Sequence, residues 1–325
     1  SLGHRDQREC ARIAGIPFTP FECGPCLAAK AKRAPVISRP VQPTGNEPGQ
    51  SVSVDNAGPI EVPARGSGAR FVTLYADKNT NMLFPFIIRS KSQGPGTMTD
   101  LNRTISTLPA LHPIKFGPGT HLFGDNEMNT KPWLEAMANL KIAYRCSTPD
   151  TPELNGFVER FWLTIFDAVR TMLYHFNLAL DLWAMALLHA VYILNRLTGL
   201  DGKSPLERFT GQKPDLNFLL SLPAFGTTAY VKDQGTRTKL APKGKKGIFI
   251  GVNPRNDGYM ILMDETGRTV TSQSVQFMTE STPVNQAEQP AQALETLFPD
   301  TTIIDTEEPL EEPTPSHQPP AHEDI

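Results

Sequence analysis

Three short apolar runs separated only by turns, followed by strands and helices in alternation, constrain this chain more than any other feature. Residues 51–55 (SVSVD) alternate in polarity and end on an acid; residues 71–77 (FVTLYAD) follow a Gly-rich turn; residues 82–88 (MLFPFII) follow the turn-forming DKNTN. Alternation at period two marks strands, and connections this short join antiparallel neighbours. Beyond them the spacing predicts a helix over 97–108, a short buried strand over 121–125 (HLFGD), a helix over 129–140 and a strand over 141–147. After an Asn155-Gly156 turn comes the longest helical pattern, in which Phe161, Ile165, Ala168, Val169, Met172, Leu173 and Phe176 recur. A second helix is expected over about 180–196. Residues 50–213 thus give a mixed α/β order with acids at strand ends and at a helix start.

A different pattern begins near residue 220. TTAYV (227–231), GIFIGV (247–252), GYMILM (258–263) and TVTSQSVQF (269–277) are short strands separated by turn signals, which predicts a small all-β barrel or meander. Two stretches read as neither. Residues 34–50 are a Pro-rich linker, and residues 283–325 hold ten acidic residues, no Lys or Arg and repeated Pro and Gln. Such a tail cannot bury enough apolar surface to offset chain entropy and is expected to be disordered. Without it the charge changes sign: the whole chain is −3, but residues 1–282 keep all 31 basic residues and 24 acidic ones, a net of +7. That balance is compatible with a polyanionic partner and equally with ordinary surface charge. No apolar run is long enough to span a bilayer, and the N-terminus carries no signal-peptide pattern. Four cysteines, two of them in a CxxC, point to a metal site rather than a disulfide framework.

Three acids stand out. Asp55 ends a strand-like run, Asp125 ends another and is followed by Asn126, and Glu159 opens the long helix just after the Asn-Gly turn. Strand ends and a helix start can converge on one edge of a sheet. Three carboxylates there would suit two divalent cations ~4 Å apart, the arrangement used in phosphoryl transfer. Taken singly, each acid is more readily read as a cap or turn residue.

The segment TPELNGFVERFWLTIFDAVRTMLYHFNLALDLWAMALLHAVYILNR (151–196) closely resembles the integrase region of copia-type retrotransposon polyproteins, in which a Pro-x-x-Asn-Gly-x-x-Glu-Arg motif opens the helix carrying the catalytic glutamate. The likeness continues through Ala168 to Leu173, Trp183 and Asn195-Arg196, and through SPLERFTGQKPDL (204–216), AFG (224–226), KLAPKGKKGIFIGV (239–252) and SVQFMTE (274–280). It implies an RNase H-like catalytic core, a mixed five-stranded sheet with flanking helices, over 50–213. A truncated His/Cys zinc segment over 1–33 and a linker over 34–49 would precede it. An SH3-like β domain over 214–282 and the tail would follow. By the same resemblance Asp55 (in VSVDNAGP), Asp125 (in FGDNE) and Glu159 are the catalytic metal ligands for Mg²⁺ or Mn²⁺, while Glu153, Glu127 and Asp77 lie off the motif positions.

The remaining expectations are also the resemblance's. His4, Cys23 and Cys26 match part of a His-His-Cys-Cys zinc motif, with Cys23-Gly24-Pro25-Cys26 supplying two thiolates from one turn and the fourth ligand unassigned. Lys141, Arg160, Arg170, Lys243, Lys245 and Lys246 are candidates for DNA phosphate contacts, a solvated surface being the bland alternative for each. The implied reaction is metal-dependent strand transfer inserting element DNA into target DNA, by a homo-oligomer, beside the reverse transcriptase section of a polyprotein. No membrane is involved. Integration implies a nuclear location, and particle assembly a cytoplasmic one. The alternative is an inactive or domesticated remnant that at most binds nucleic acid. Glu127 favours it, because the family has glycine after the Asp-Asn pair, and so does the slightly short spacing from Asp125 to Glu159.

Overall fold

The computed structural model describes residues 46–146, 156–199, 201–232, 240, 242–254 and 258–278. His4, Cys23, Cys26, Glu153, Asn155 and the acidic tail lie outside the described residues.

The opening meander is β1 (Ser51–Ala57), β2 (Phe71–Asp77) and β3 (Leu83–Ile88), antiparallel throughout. A helix α1 (Gly94–Thr107) returns the chain to β4 (His121–Gly124), which pairs with β1 in parallel. A second crossover, α2 (Lys131–Asn139), leads to β5 (Ala143–Cys146), parallel to β4. The sheet order is β3-β2-β1-β4-β5. Connection length accounts for part of this order: the short 78–82 turn can join β2 and β3 only as antiparallel neighbours, whereas each helix permits a parallel return. This is the five-stranded RNase H-like arrangement that the resemblance implies. The remaining helices are α3 (Gly156–His175), α4 (Trp183–Leu194), α5 (Pro205–Thr210) and α6 (Leu216–Leu220).

Period two in the strands divides the core. Val52, Val54, Tyr75 and Leu122 face α1 and α2, with Met98, Leu101 and Trp133. Val72, Leu74 and Ala76 face α3 and α4, with Ile165, Val169, Trp183 and Leu187. The buried stripe of α3 is Val158, Trp162, Ile165, Phe166, Val169 and Leu173. That is rotated from the expected stripe, with Phe161 and Met172 only flanking it. Phe161 fits a 3.6 period as well as Trp162 does, and only the sheet decides which of them turns inward.

α4 is apolar on nearly all sides because it is covered twice. Trp183 and Leu187 pack toward the sheet, while Tyr192 joins a separate cluster with Ala229, Phe249 and Ile261. That second cluster belongs to β6 (Thr228–Lys232), β7 (Gly244–Asn253), β8 (Gly258–Met263), β9 (Thr269–Ser272) and β10 (Val275–Phe277), which form an antiparallel sheet in the order β10-β6-β7-β8-β9. The expected single run 269–277 breaks into β9 and β10 at Gln273-Ser274. Gly226 makes the approach of the two parts close: its φ is +98°, and a Cβ there would meet Phe176 and Leu178 carbons at 2.9 Å. Among the described residues no helix is long and apolar enough to cross a membrane.

Candidate active site on the sheet edge

Asp55 sits where β1 leaves the core: residues 51–54 are buried, and Asp55 is partly exposed. Its parity with Ser53 puts it on the face covered by α3. There its Oδ2 accepts a hydrogen bond from the Trp162 indole Nε1, at 2.9 Å. Parallel pairing of Ser53 with Phe123, extended by two residues, brings Asp125 beside Asp55 at the carboxyl end of β4. Asp125 caps a short 3₁₀ turn, Asn126–Met128, by accepting from the Glu127 backbone N–H at 3.0 Å. Its carbonyl accepts from the Tyr144 hydroxyl on β5. Glu159 is exposed in the first turn of α3, one turn before Trp162.

Asp125 and Glu159 both act on the charge of Asp55. Burial pushes the Asp55 carboxyl up to about 7, against the indole hydrogen bond, which favours the charged form; Asp125 and Glu159 push it further up. Burial also raises Asp125, as does the charge of Glu127, while the hydrogen bond from the Glu127 N–H and the charge of Lys91 pull it back. Lys91 meets Glu127 directly, at 2.6 and 2.9 Å to its two carboxylate oxygens. The extra acid after Asn126 is therefore partly compensated by a lysine from the turn before α1. Hard carboxylate oxygens are the donor set that suits Mg²⁺ or Mn²⁺, and a desolvated Asp55 with two anionic neighbours is a place where a cation would lower the energy. The donor chemistry fits; the spacing is loose. Among the described residues no group of three or more His, Cys, Asp or Glu stands close enough together to hold a metal ion.

The other acids of this region have structural work. Asp77 is fully buried on the opposite face and caps the β2–β3 turn, accepting from Gly49 N and from both Thr80 N and Oγ1. Of the basic residues, Arg160 is exposed beside Glu159 and folds back onto the Gly156 carbonyl at 3.2 Å. Arg170 pairs with Asp167 further along α3. Lys141 precedes β5 in a left-handed turn (φ 55°), at the end of the parallel strands opposite to Asp125. Lys245 and Lys246 on β7 face Glu265 and Asp264 at 3.4 and 3.7 Å, and Lys243 is exposed just before them. Arg160 thus adjoins Glu159 on α3, while Lys141 lies at the other end of the parallel strands and Lys245 and Lys246 belong to the second sheet. Sequence reasoning passed over Trp162 and Lys91. Trp162 stands three residues after Glu159, so helical spacing places it on a neighbouring face, but only the fold shows what its N–H meets.

A family profile described as the retroviral polymerase SH3-like domain matches residues 227–290. The chain is 27% identical over 261 residues to the Retrovirus-related Pol polyprotein from transposon RE2 of Arabidopsis thaliana, covering 79% of the chain and 17% of that polyprotein. It is 27% identical over 229 residues to that from transposon TNT 1-94 of Nicotiana tabacum, covering 69% of the chain and 16% of the polyprotein. Its homologues are retrovirus-related Pol polyproteins of copia-type transposons. The chain spans 17% of the length of the first of these relatives, so most of such a polyprotein is not represented in it. Among solved structures, a chain of the simian T-cell lymphotropic virus intasome in complex with PP2A regulatory subunit B56 gamma aligns with TM-score 0.39 at 15% identity, over 73% of this chain and 81% of that one. The HTLV-2 integrase catalytic core domain, solved in complex with magnesium, aligns with TM-score 0.37 at 17% identity, over 51% of this chain and 99% of that one.

Proposed function

We propose that this retrotransposon Pol segment is an integrase that joins element DNA to target DNA by divalent-metal-dependent phosphoryl transfer. The observation that carries the reading is the convergence on Asp55: it is desolvated where β1 leaves the core, and the charges of Asp125, just past β4, and Glu159, on α3, both disfavour its ionised form. Asp55 lies on β1, and Asp125 directly follows the end of the neighbouring parallel strand β4. Glu159 is exposed at the start of a helix, and its side chain must turn inward to complete a shared ligand set. Bound there, two divalent cations would activate the attacking oxygen and stabilise the leaving one. The protein itself forms no covalent bond in such an in-line displacement, so its residues hold, orient and exclude water. Arg160 and the exposed β7 lysines would meet phosphates, giving affinity that falls steeply with salt. Joining two DNA ends calls for more than one copy of the chain, and a reverse transcriptase section would adjoin it in the polyprotein. A zinc ion on His4, Cys23 and Cys26 belongs to the same proposal.

The rival reading, a remnant without turnover, draws on Glu127. Its pairing with Lys91 offsets part of the added charge, but Glu127 still raises Asp125 by more than Lys91 lowers it. The test is a strand-transfer assay with Mg²⁺ or Mn²⁺ on a short duplex with a recessed 3′ end, with Glu159→Gln run beside the parent. Joined products should form with the parent and fall by ~100-fold or more with the variant, the loss of several kcal/mol expected when a metal ligand is removed. Equal products from both would sink the Glu159 assignment and turn attention to Glu153. No products from either folded protein would favour the remnant.

A further inference from the structure

We propose that Trp162 is a positioning residue for the Asp55 carboxylate, its indole N–H holding one carboxylate oxygen so that the other is presented to a metal ion. The inference rests on the reading of Asp55 as a metal ligand and adds to it a residue that is itself no ligand. An indole offers a single donor and no acceptor, so it can hold a carboxylate oxygen but cannot take its place on a metal.

The ring is in a state to do this. Trp162 is 6% exposed, stacks on Phe166 with centroids 5.2 Å apart and planes 13° apart, and lies in the cluster between α3 and the sheet. Its Nε1 reaches Asp55 Oδ2 at 2.9 Å across 107 residues of sequence. A short carboxylate side chain has two rotatable bonds, and one bond to a ring that cannot turn removes most of that freedom. The same contact ties the strand that carries Asp55 to the helix that carries Glu159, one turn away on α3. It therefore sets the separation of two of the three carboxylates. A buried indole N–H needs an acceptor, and the one that Trp162 meets is this carboxylate oxygen. Partners of this kind, behind the ligands of metal sites, are worth ~10–100-fold in metal affinity.

The experiment is a Mn²⁺ titration of the full chain, free ion being counted by electron paramagnetic resonance, on the parent, Trp162→Phe and Asp55→Asn. Phenylalanine keeps the stacking on Phe166 and removes only the N–H, and a thermal melt confirms that the variant is folded. Trp162→Phe should bind Mn²⁺ ~10-fold or more weakly than the parent, and Asp55→Asn should lose that site. Tryptophan emission is followed in the same titration. Paramagnetic Mn²⁺ on Asp55 should quench the parent, and the quenching should disappear in Asp55→Asn. A folded Trp162→Phe that binds within about twofold of the parent, while Asp55→Asn does not bind, overturns the positioning role and leaves the site standing. So does a parent whose emission is unchanged at saturating Mn²⁺, a result that holds whether or not the phenylalanine variant folds. A parent that binds no Mn²⁺, or an Asp55→Asn that binds as the parent does, overturns the reading of Asp55 as a ligand and the inference with it.

Discussion

Asp55→Asn should melt at a higher temperature than the parent at pH 8 in the absence of divalent cations, and the advantage should vanish by pH 4. The Asp55 carboxyl is raised from 3.8 to about 7 in the fold, chiefly by burial. A carboxyl raised on folding stabilises the native state fully below its unfolded value. That stabilisation is lost as pH rises through the folded value, because the native state must then hold a charge that the unfolded chain holds at less cost. At 1.36 kcal/mol per pH unit, the shift corresponds to an upper bound of about 4 kcal/mol at pH 8. Asp55 is not fully enclosed, and relaxation will absorb part of this, so ~2 kcal/mol is the expected gain on replacing the charge with a neutral amide. For domains of this size that corresponds to a rise of roughly 4–8 °C. The asparagine oxygen can still accept the Trp162 N–H, so packing should be little changed. Adding Mn²⁺ should reverse the order: the parent gains stability by mass action, and the variant does not. A variant that melts lower at pH 8, or differs by the same amount at both pH values, would show that the charge at position 55 is not strained.

How far the sequence revealed this arrangement depends on the range of the interaction concerned. β1 and β2 were legible because alternation and turns are local, and β2 occupies the expected residues 71–77. The helix α5 was legible in principle and still passed over. Ser204 caps it by accepting from the Glu207 N–H, and Gly211 ends it in a left-handed conformation, a pair of signals visible in the letters Ser-Pro-Leu-Glu and Thr-Gly. The rotation of the α3 stripe was not legible, since choosing Trp162 over Phe161 requires the sheet beneath. At the site, the three carboxylates were read from a resemblance and from their places at element ends. The compensating contacts were not, because Lys91–Glu127 and Trp162–Asp55 join residues 36 and 107 positions apart. Charge and hydrogen-bond partners at such separations exist only after folding.

Asn195 shows the same division, and it supports the second large prediction. Asn195-Arg196 stood in the sequence only as part of a resemblance. In the fold the Asn195 side chain behaves as one residue of a missing strand: its Oδ1 accepts from Leu83 N at 2.9 Å and its Nδ2 donates to Leu83 O at 2.8 Å. β3 is an edge of the main sheet, and Leu83 is buried there beside the end of α4. An edge strand in that position has backbone groups that water cannot reach and no neighbouring strand to satisfy them. Asn195→Ala leaves both groups of Leu83 unpaired at a cost of about 1–3 kcal/mol each, less whatever water enters the space. A loss of ~3 kcal/mol is a large share of a total that is typically 5–15 kcal/mol, and the melting temperature should fall by roughly 6–12 °C. Asn195→Asp should be at least as damaging at pH 7, because a carboxylate can accept from Leu83 N but must face Leu83 O without a donor. The measurement is a thermal melt of both variants beside the parent. A fall of less than about 2 °C in the alanine variant would mean that water replaces the amide at no cost. A large fall places much of the stability of the sheet edge in a side chain that fastens the end of α4 to β3, through the same helix that carries the SH3-like sheet on its other side.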